Sequence, residues 1–436
     1  MLRLTEIKLP LDHTADAQHA LILRTLGIPE SDLLSVRVRR RGSRGLCESD
    51  LARRCCGRFV RCRKAVAAGA ALHGSGRRGD NAIGEGVRGR AQAVFARAEA
   101  FVRAREGCMS QTLRFLSRKD VERALTVKDA IPPVREAFVQ LSSKQACVPL
   151  RTRIDVTAHN GTVLYMPAYF PAREILSVKV VSLFKRNPAA GLPLIHALVV
   201  VNDARTGRPV AVMDGEALTA IRTAAASGLA TELLARREAE VAAIFGAGVQ
   251  GRTQLEAVCA VRPIARAYVF DPDAQRAAAF CREMGERWSL TVIAADSPAQ
   301  LRNADVICTV TTSSTPVFAH EDVKPGAHIN AIGAYKPGER EIPEATVRVA
   351  KVVVDQREAC LSEAGDIIIP LQQGLITPDH IHAEIGEIAA GRKTGRCGDT
   401  EITLFKSVGN AIQDAAVASE ALERASVLGL GSEVQM

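Results

Sequence analysis

Three glycines spaced as Gly246-x-Gly248-x-x-Gly251 close a short apolar run at 241–245 and open a helix-like stretch. Asp271 follows about 20 residues later, at the end of a second apolar run. No other feature restricts the fold of this chain so tightly. The first glycine lets a strand turn sharply, the second lets bare backbone approach a pyrophosphate, and the third lets the helix pack against the strand. The helix start then presents unpaired N–H groups and a positive dipole end to the phosphates. Asp271 is placed to accept a hydrogen bond from a ribose 2′-hydroxyl, and its charge repels a 2′-phosphate, so NAD is favoured over NADP. Gly246, Ala247, Gly248, Val249, Gln250, Gly251 and Asp271 are therefore the expected cofactor contacts.

The surrounding pattern agrees with this reading. Strands are expected at 241–245, 267–270, 290–293 and 305–310, alternating with helices at 250–260, 273–286 and 298–303. Such alternation predicts a doubly wound parallel sheet, extended by strands at 328–332 and 352–355. Earlier, 153–157, 163–166, 175–184, 195–202 and 209–213 read as strands joined by turns, which predicts an antiparallel sheet. Helices are expected at 127–141, with Pro132 and Pro133 near the start, at 216–234, and at 407–425, the last returning to the first domain. The fold class is α/β: a doubly wound parallel sheet at 223–399, inserted in an α+β substrate domain made of 109–222 and 400–436.

Net charge misleads until it is divided along the chain. The formal total is +9, but residues 1–108 carry +10 and the remainder −1. Between Arg37 and Cys108 stand 17 arginines and one lysine, Lys64, among abundant glycine and alanine with no sustained apolar period. An arginine-rich nucleic-acid tail is one reading. The preferred one is GC-rich DNA translated outside the enzyme's frame or through a fused remnant, so that the enzyme is expected to begin at or near Met109 and no nucleic acid to be bound. Aromatic residues at 4% are too few for a stacking platform. The eleven cysteines include Cys55, Cys56 and Cys62 close together, but without a zinc-site spacing, so no metal is expected. Cys259, Cys281 and Cys308 read as small buried apolar groups. No apolar run reaches membrane-spanning length and no signal pattern opens the chain, which predicts a cytoplasmic protein.

Several phrases carry a family resemblance: Met166-Pro167-Ala168-Tyr169, Ala211-Val212-Met213-Asp214-Gly215, Arg222-Thr223-Ala224-Ala225, 324–333 and Phe405-Lys406-Ser407-Val408-Gly409. Over about 116–425 the chain resembles the ornithine cyclodeaminase and mu-crystallin family. The resemblance implies a homodimer with a Rossmann domain binding NAD(P), acting at the α-carbon of a small amino or cyclic imino acid. Ketimine reduction or amino acid dehydrogenation is the first reading. Cyclodeamination of ornithine with recycled NAD, or nucleotide binding without turnover, are the alternatives. Arg151 and Arg222 match the family's carboxylate-binding arginines and Lys179 its active-site lysine. Thr223, Thr309 and Thr311 match cofactor contacts, the last two in a nicotinamide-side loop at 309–315. Tyr335 stands where ornithine cyclodeaminases carry aspartate, and a phenol with a pKa near ~10 cannot act as a carboxylate. Separately, residues 1–42 resemble the opening of bacterial FAD-dependent dehydrogenases and suggest a small βαβ unit. His328, which precedes Asn330 in the 324–333 phrase, is expected near the cofactor.

Overall fold

The computed structural model describes residues 112–436 and, before them, only the backbone of three strands, Leu2–Leu4, Leu33–Val38 and Arg58–Cys62. The chain divides into two compact units, Met1–Cys108 and Met109–Met436. In the first unit the three strands form one sheet, with Arg58–Cys62 antiparallel to both of the others and between them. The expected βαβ pairing is therefore interrupted by a strand drawn from the arginine-rich stretch. The helix expected before Leu33 lies outside the described residues.

The second unit opens with β1 (Thr112–Leu116), α1 (Arg118–Ala124) and α2 (Val127–Ser142). Ser117 with Asp120, and Thr126 with Asp129, form capping boxes that fix both helix starts. Pro132 and Pro133 lie in the second turn of α2 rather than at its first position, so two carbonyls of the first turn lose their helical donors. Next come β2 (Thr152–Val156), β3 (Gly161–Phe170), β4 (Ile175–Phe184), β5 (Ile195–Asp203) and β6 (Pro209–Asp214). β2 to β6 form an antiparallel meander, β1 adds parallel to β6, and a last strand, Ser432–Gln435, completes a seven-stranded sheet beside β1.

The long helix α3 (Gly215–Leu234) starts under an Asp214 cap and is buried on nearly every side. Its alanine-rich surface lets α2 and the next helix approach closely, so it is the shared wall of both halves. The boundary expected at 222/223 falls inside this continuous helix. Beyond it run β7 (Val241–Phe245), α4 (Val249–Val261), β8 (Arg266–Phe270), α5 (Ala274–Trp288), β9 (Thr291–Ala294), β10 (Val306–Thr309) and β11 (His328–Ala331). After these come α6 (Glu344–Val349), β12 (Lys351–Val354), α7 (Arg357–Glu363), α8 (Gly365–Gln372), β13 (Ile381–Glu384), α9 (Ile385–Ala389) and β14 (Thr403–Lys406). The eight strands pair in the order β9-β8-β7-β10-β11-β14-β12-β13, all parallel.

β14 corrects the sequence reading twice. Residues 403–406 belong to the parallel sheet rather than to the substrate domain, and the returning helix, α10 (Ala411–Leu428), begins four residues later than expected. The physical reason is Asn410, whose side chain caps α10 by accepting from Ile412 N–H and so stops the helix from starting at Ser407. Cys308 is buried and Cys259 half-buried, and burial pushes both thiols up to about 12, as expected of inert core groups. No helix among the described residues is long and apolar enough to cross a membrane.

Candidate active site

β4 alternates between faces, and Ile175, Ser177 and Lys179 point toward the helices. Lys179 is thereby carried into the core, only 2% exposed. Its Nζ lies 3.0 and 2.9 Å from the two oxygens of Asp414 on α10. From α3, Arg222 donates Nε–H to Asp414 Oδ1 at 3.0 Å and Nη1–H to Gln413 Oε1 at 2.7 Å. One buried carboxylate thus holds two cations from two other elements. A buried lysine needs such a partner, and Lys179 is at once half of an ion pair and part of a cavity wall. Burial lowers its pKa to about 8, with Asp414 opposing the shift and Arg222 reinforcing it. Arg151, just before β2, donates to Gly409 carbonyl at 3.0 Å and pairs with Glu363 of α7 at 3.0 Å.

These groups wall a cavity of about 910 Å³. Arg151, Lys179, Arg222, Val249, Gln250 and Tyr335 all line it, so the start of α4 and the three cations face one space. Met166, Val181 and Leu183 give the same cavity an apolar side. Tyr335 is 41% exposed at its edge, with Lys336 Nζ 5.4 Å from the ring centre. A second cavity, about 780 Å³, is lined by Gly246, Gly248, Asp271, Arg276 and Thr311. The glycine loop is the common border of the two.

That loop has the stereochemistry a dinucleotide needs. Gly246 has φ +104° and its missing Cβ would stand 2.9 Å from Val310 carbonyl. A Cβ on Gly251 would run into Gly246 carbonyl, whereas one on Gly248 would meet nothing within 4 Å. Gly246 and Gly251 therefore serve the chain's own packing, and Gly248 leaves its face open to a ligand. Ala247 is fully buried, and its N–H donates to Asp271 Oδ2 at 2.8 Å while Asp273 N–H donates to Oδ1 at 2.9 Å. Asp271 so braces the loop as well as facing the second cavity.

Three expected contacts are placed differently. Thr223 is buried, and its hydroxyl donates to Thr219 carbonyl inside α3 at 2.6 Å, because a helical threonine can satisfy itself one turn back. Thr309 is also buried, donating to Glu341. Thr311, by contrast, does line the second cavity. His328 sits at the start of β11, the far end from the glycine loop, bonded to Thr403 and Asn330, and burial lowers its pKa to about 3. Asp414, Gln413, Glu363 and Glu341 were missed by sequence reasoning. For Asp414 and Gln413 the signal was present: two polar residues amid Ile412, Ala415, Ala416 and Val417 in the apolar first half of the helix. For Glu363 and Glu341 no local pattern marks them. Among the described residues no group of three or more histidine, cysteine or acidic side chains is placed to hold a metal.

The model of the ornithine cyclodeaminase/mu-crystallin family matches residues 111–427. A Delta(1)-pyrroline-2-carboxylate reductase of Bacillus cereus (strain ZK / E33L) is 36% identical over 322 residues, 73% of this chain and 99% of the relative. The structure of Thermococcus litoralis Delta(1)-pyrroline-2-carboxylate reductase in complex with NADH and L-proline superposes with a TM-score of 0.71 at 46% identity, covering 74% of this chain and all of that one. An archaeal alanine dehydrogenase dimer with bound NAD superposes at 0.70 and 35% identity, covering 74% and 99%. The family match begins at residue 111, and the flavin-dehydrogenase likeness of residues 1–42 is not borne out.

Proposed function

We propose that this chain, which belongs to the ornithine cyclodeaminase/mu-crystallin family, is an NAD-dependent reductase of a small cyclic imino acid bearing a carboxylate next to its C=N carbon. The observation that carries the reading is the single cavity faced by the glycine-loop helix start, by Arg151, Lys179 and Arg222, and by Tyr335. The residues that would hold a dinucleotide are Gly248 and the N-terminus of α4 for its pyrophosphate, Asp271 for its ribose, and Gln250 and Thr311 for its nicotinamide end. NADH held by these residues would supply the hydride for the C=N carbon.

The chain's own residues do the rest. Arg151 and Arg222 present guanidinium N–H groups to the substrate carboxylate, and Lys179 adds a third positive charge from below. Asp414 holds Lys179 and Arg222 side by side at the cavity wall, both meeting its Oδ1. Met166, Val181 and Leu183 accept the apolar part of the ring. Tyr335 offers a phenol O–H to the imine nitrogen, and, being at the cavity edge, water can refill that proton. Because Tyr335 is not a carboxylate, the reading favours reduction over cyclodeamination. The similar proteins named as pyrroline-2-carboxylate reductases support the same choice.

We infer a homodimer as well. The face of the seven-stranded sheet turned away from the helices exposes Ile154, Tyr165, Tyr169, Leu176 and Leu198, an apolar surface suited to a second copy. The decisive assay gives the protein Δ1-pyrroline-2-carboxylate with NADH and follows loss of nicotinamide absorbance, in parallel with L-ornithine and catalytic NAD followed for proline and ammonia. Turnover in the first arm alone is the expected result. Ammonia release in the second would replace the reductase with a cyclodeaminase, and tight nucleotide binding with no turnover in either would leave a binding protein.

A further inference from the structure

Beneath the nicotinamide-side loop lies a buried charged group that the reaction does not use directly. Glu341, Asp366 and Lys406 have no solvent exposure, and Lys406 Nζ pairs with Asp366 at 2.7 Å. Glu341 Oε1 accepts from both N–H and hydroxyl of Thr311, each at 2.7 Å. Its Oε2 accepts from Thr309 hydroxyl at 2.9 Å, Gly333 N–H at 2.8 Å and Ala334 N–H at 3.2 Å. Three of these five bonds come from backbone N–H groups, which can only donate, so both Glu341 oxygens serve as acceptors, while burial raises the carboxyl's pKa and Lys406 opposes that shift. Its own backbone N–H is fixed at 2.7 Å by Asp366 Oδ1, and Lys406 reaches past to donate to Ala334 carbonyl at 2.5 Å.

The two segments clamped in this way border the two cavities. Thr311 belongs to the loop after β10 and lines the second cavity, while Gly333 and Ala334 lead directly into Tyr335 at the first. Close approach is built in: a Cβ on Gly333 would stand 2.5 Å from Glu341 Oε1 and from Thr311 carbonyl. We propose that Glu341 is a positioning residue that ties the nicotinamide-side loop to the Tyr335 loop, so that nicotinamide and imine nitrogen are registered against each other by one carboxylate. This inference rests on the reading that the nicotinamide half of the cofactor lies against the loop at 309–315.

Glu341→Gln tests it with almost no change of volume. Whichever oxygen becomes NH2 is set against a backbone N–H, that of Thr311 on one side or those of Gly333 and Ala334 on the other, so one loop must lose its anchor. ADP-ribose serves as the internal control, because it fills the glycine loop and lacks the nicotinamide. In the full-length protein the expected result is a rise of about tenfold in Kd for NADH, read by its fluorescence, with ADP-ribose within about twofold of the parent and kcat down about tenfold or more. Thr309→Val, nearly isosteric and away from both cavities, should move NADH the same way by about threefold and still spare ADP-ribose, which keeps the test available if the glutamine variant does not fold. Equal weakening of both ligands, or no change in either, overturns the proposal, as does a parent protein that binds NADH no better than ADP-ribose. A parent that binds NADH selectively but reduces no imino acid removes the reductase reading and leaves this one standing.

Discussion

Lys179 shows how one residue can be tuned by the elements that surround it. Burial takes its pKa from the ordinary 10.5 down to about 8, and Asp414 keeps it from falling further. Below about pH 8 the cation is present to meet a carboxylate, and it is lost as pH rises through that value. Substrate affinity should therefore fall above about pH 8, visible as a rising KM while NADH affinity, set on the other side of the cavity, stays flat. Asp414→Asn removes the anion that favours the charged lysine, so the same limb should move at least about one pH unit toward acid. The variant also leaves Lys179 and Arg222 buried without their counter-ion, at a cost of about 3–5 kcal/mol of stability, measurable by denaturant unfolding. An unmoved limb would mean that Lys179 does not set the pH dependence of binding. The stability arm separates this from simple unfolding.

At the level of elements, the glycine loop separates two requirements that a sequence motif merges. Gly251→Ala places a Cβ against Gly246 carbonyl, backbone that cannot yield without shifting α4 off β7. The expected loss is several kcal/mol, roughly that of other overpacked core sites, with a lowered melting temperature even in the absence of nucleotide. Gly248→Ala meets nothing in the protein and should leave the melting temperature within the range of surface substitutions, about 0.5 kcal/mol, while NADH affinity falls tenfold or more because the new methyl stands where the pyrophosphate approaches. The motif was legible because strand, turn and helix are consecutive in the chain. The same holds for β4 and β7, whose bounds the apolar runs predicted without error. What could not be read was contact between distant segments. Asp414 reaches Lys179 across 235 positions, and the four residues of β14 carry no strand signal of their own and are set by pairing with β11 and β12. β13 and Ser432–Gln435 are four residues each, too short to show a period.

For the molecule as a whole, the arrangement of its cores decides which perturbations it should survive. His328 is held neutral at the base of β11, with its pKa lowered from 6.5 to about 3 by burial and by Arg396. An unfolded chain takes up this proton below pH 6.5 and the folded one does not, so stability must decline as pH falls from 6.5 toward 3, at up to about 1.4 kcal/mol per unit. His328→Asn should flatten that part of the pH–melting curve whatever it does to its height. Dissection at residue 108 is the broader test. Both cavities, all the site residues and the whole of the seven- and eight-stranded sheets lie within Met109–Met436, which is a compact unit of its own. The strands at its two ends, β1 and Ser432–Gln435, pair with each other, so cutting ahead of β1 removes no ladder from that sheet. Residues 109–436 should then melt within a few degrees of the full chain, a shift of under about 1 kcal/mol, and keep its kcat and KM for imine reduction. The formal charge changes from +9 to −1 on this cut, so the shortened protein should also lose any salt-sensitive retention on an anionic matrix. If folding or turnover fails instead, the arginine-rich segment is a working part of the enzyme, and the charge it carries must be reckoned into the site.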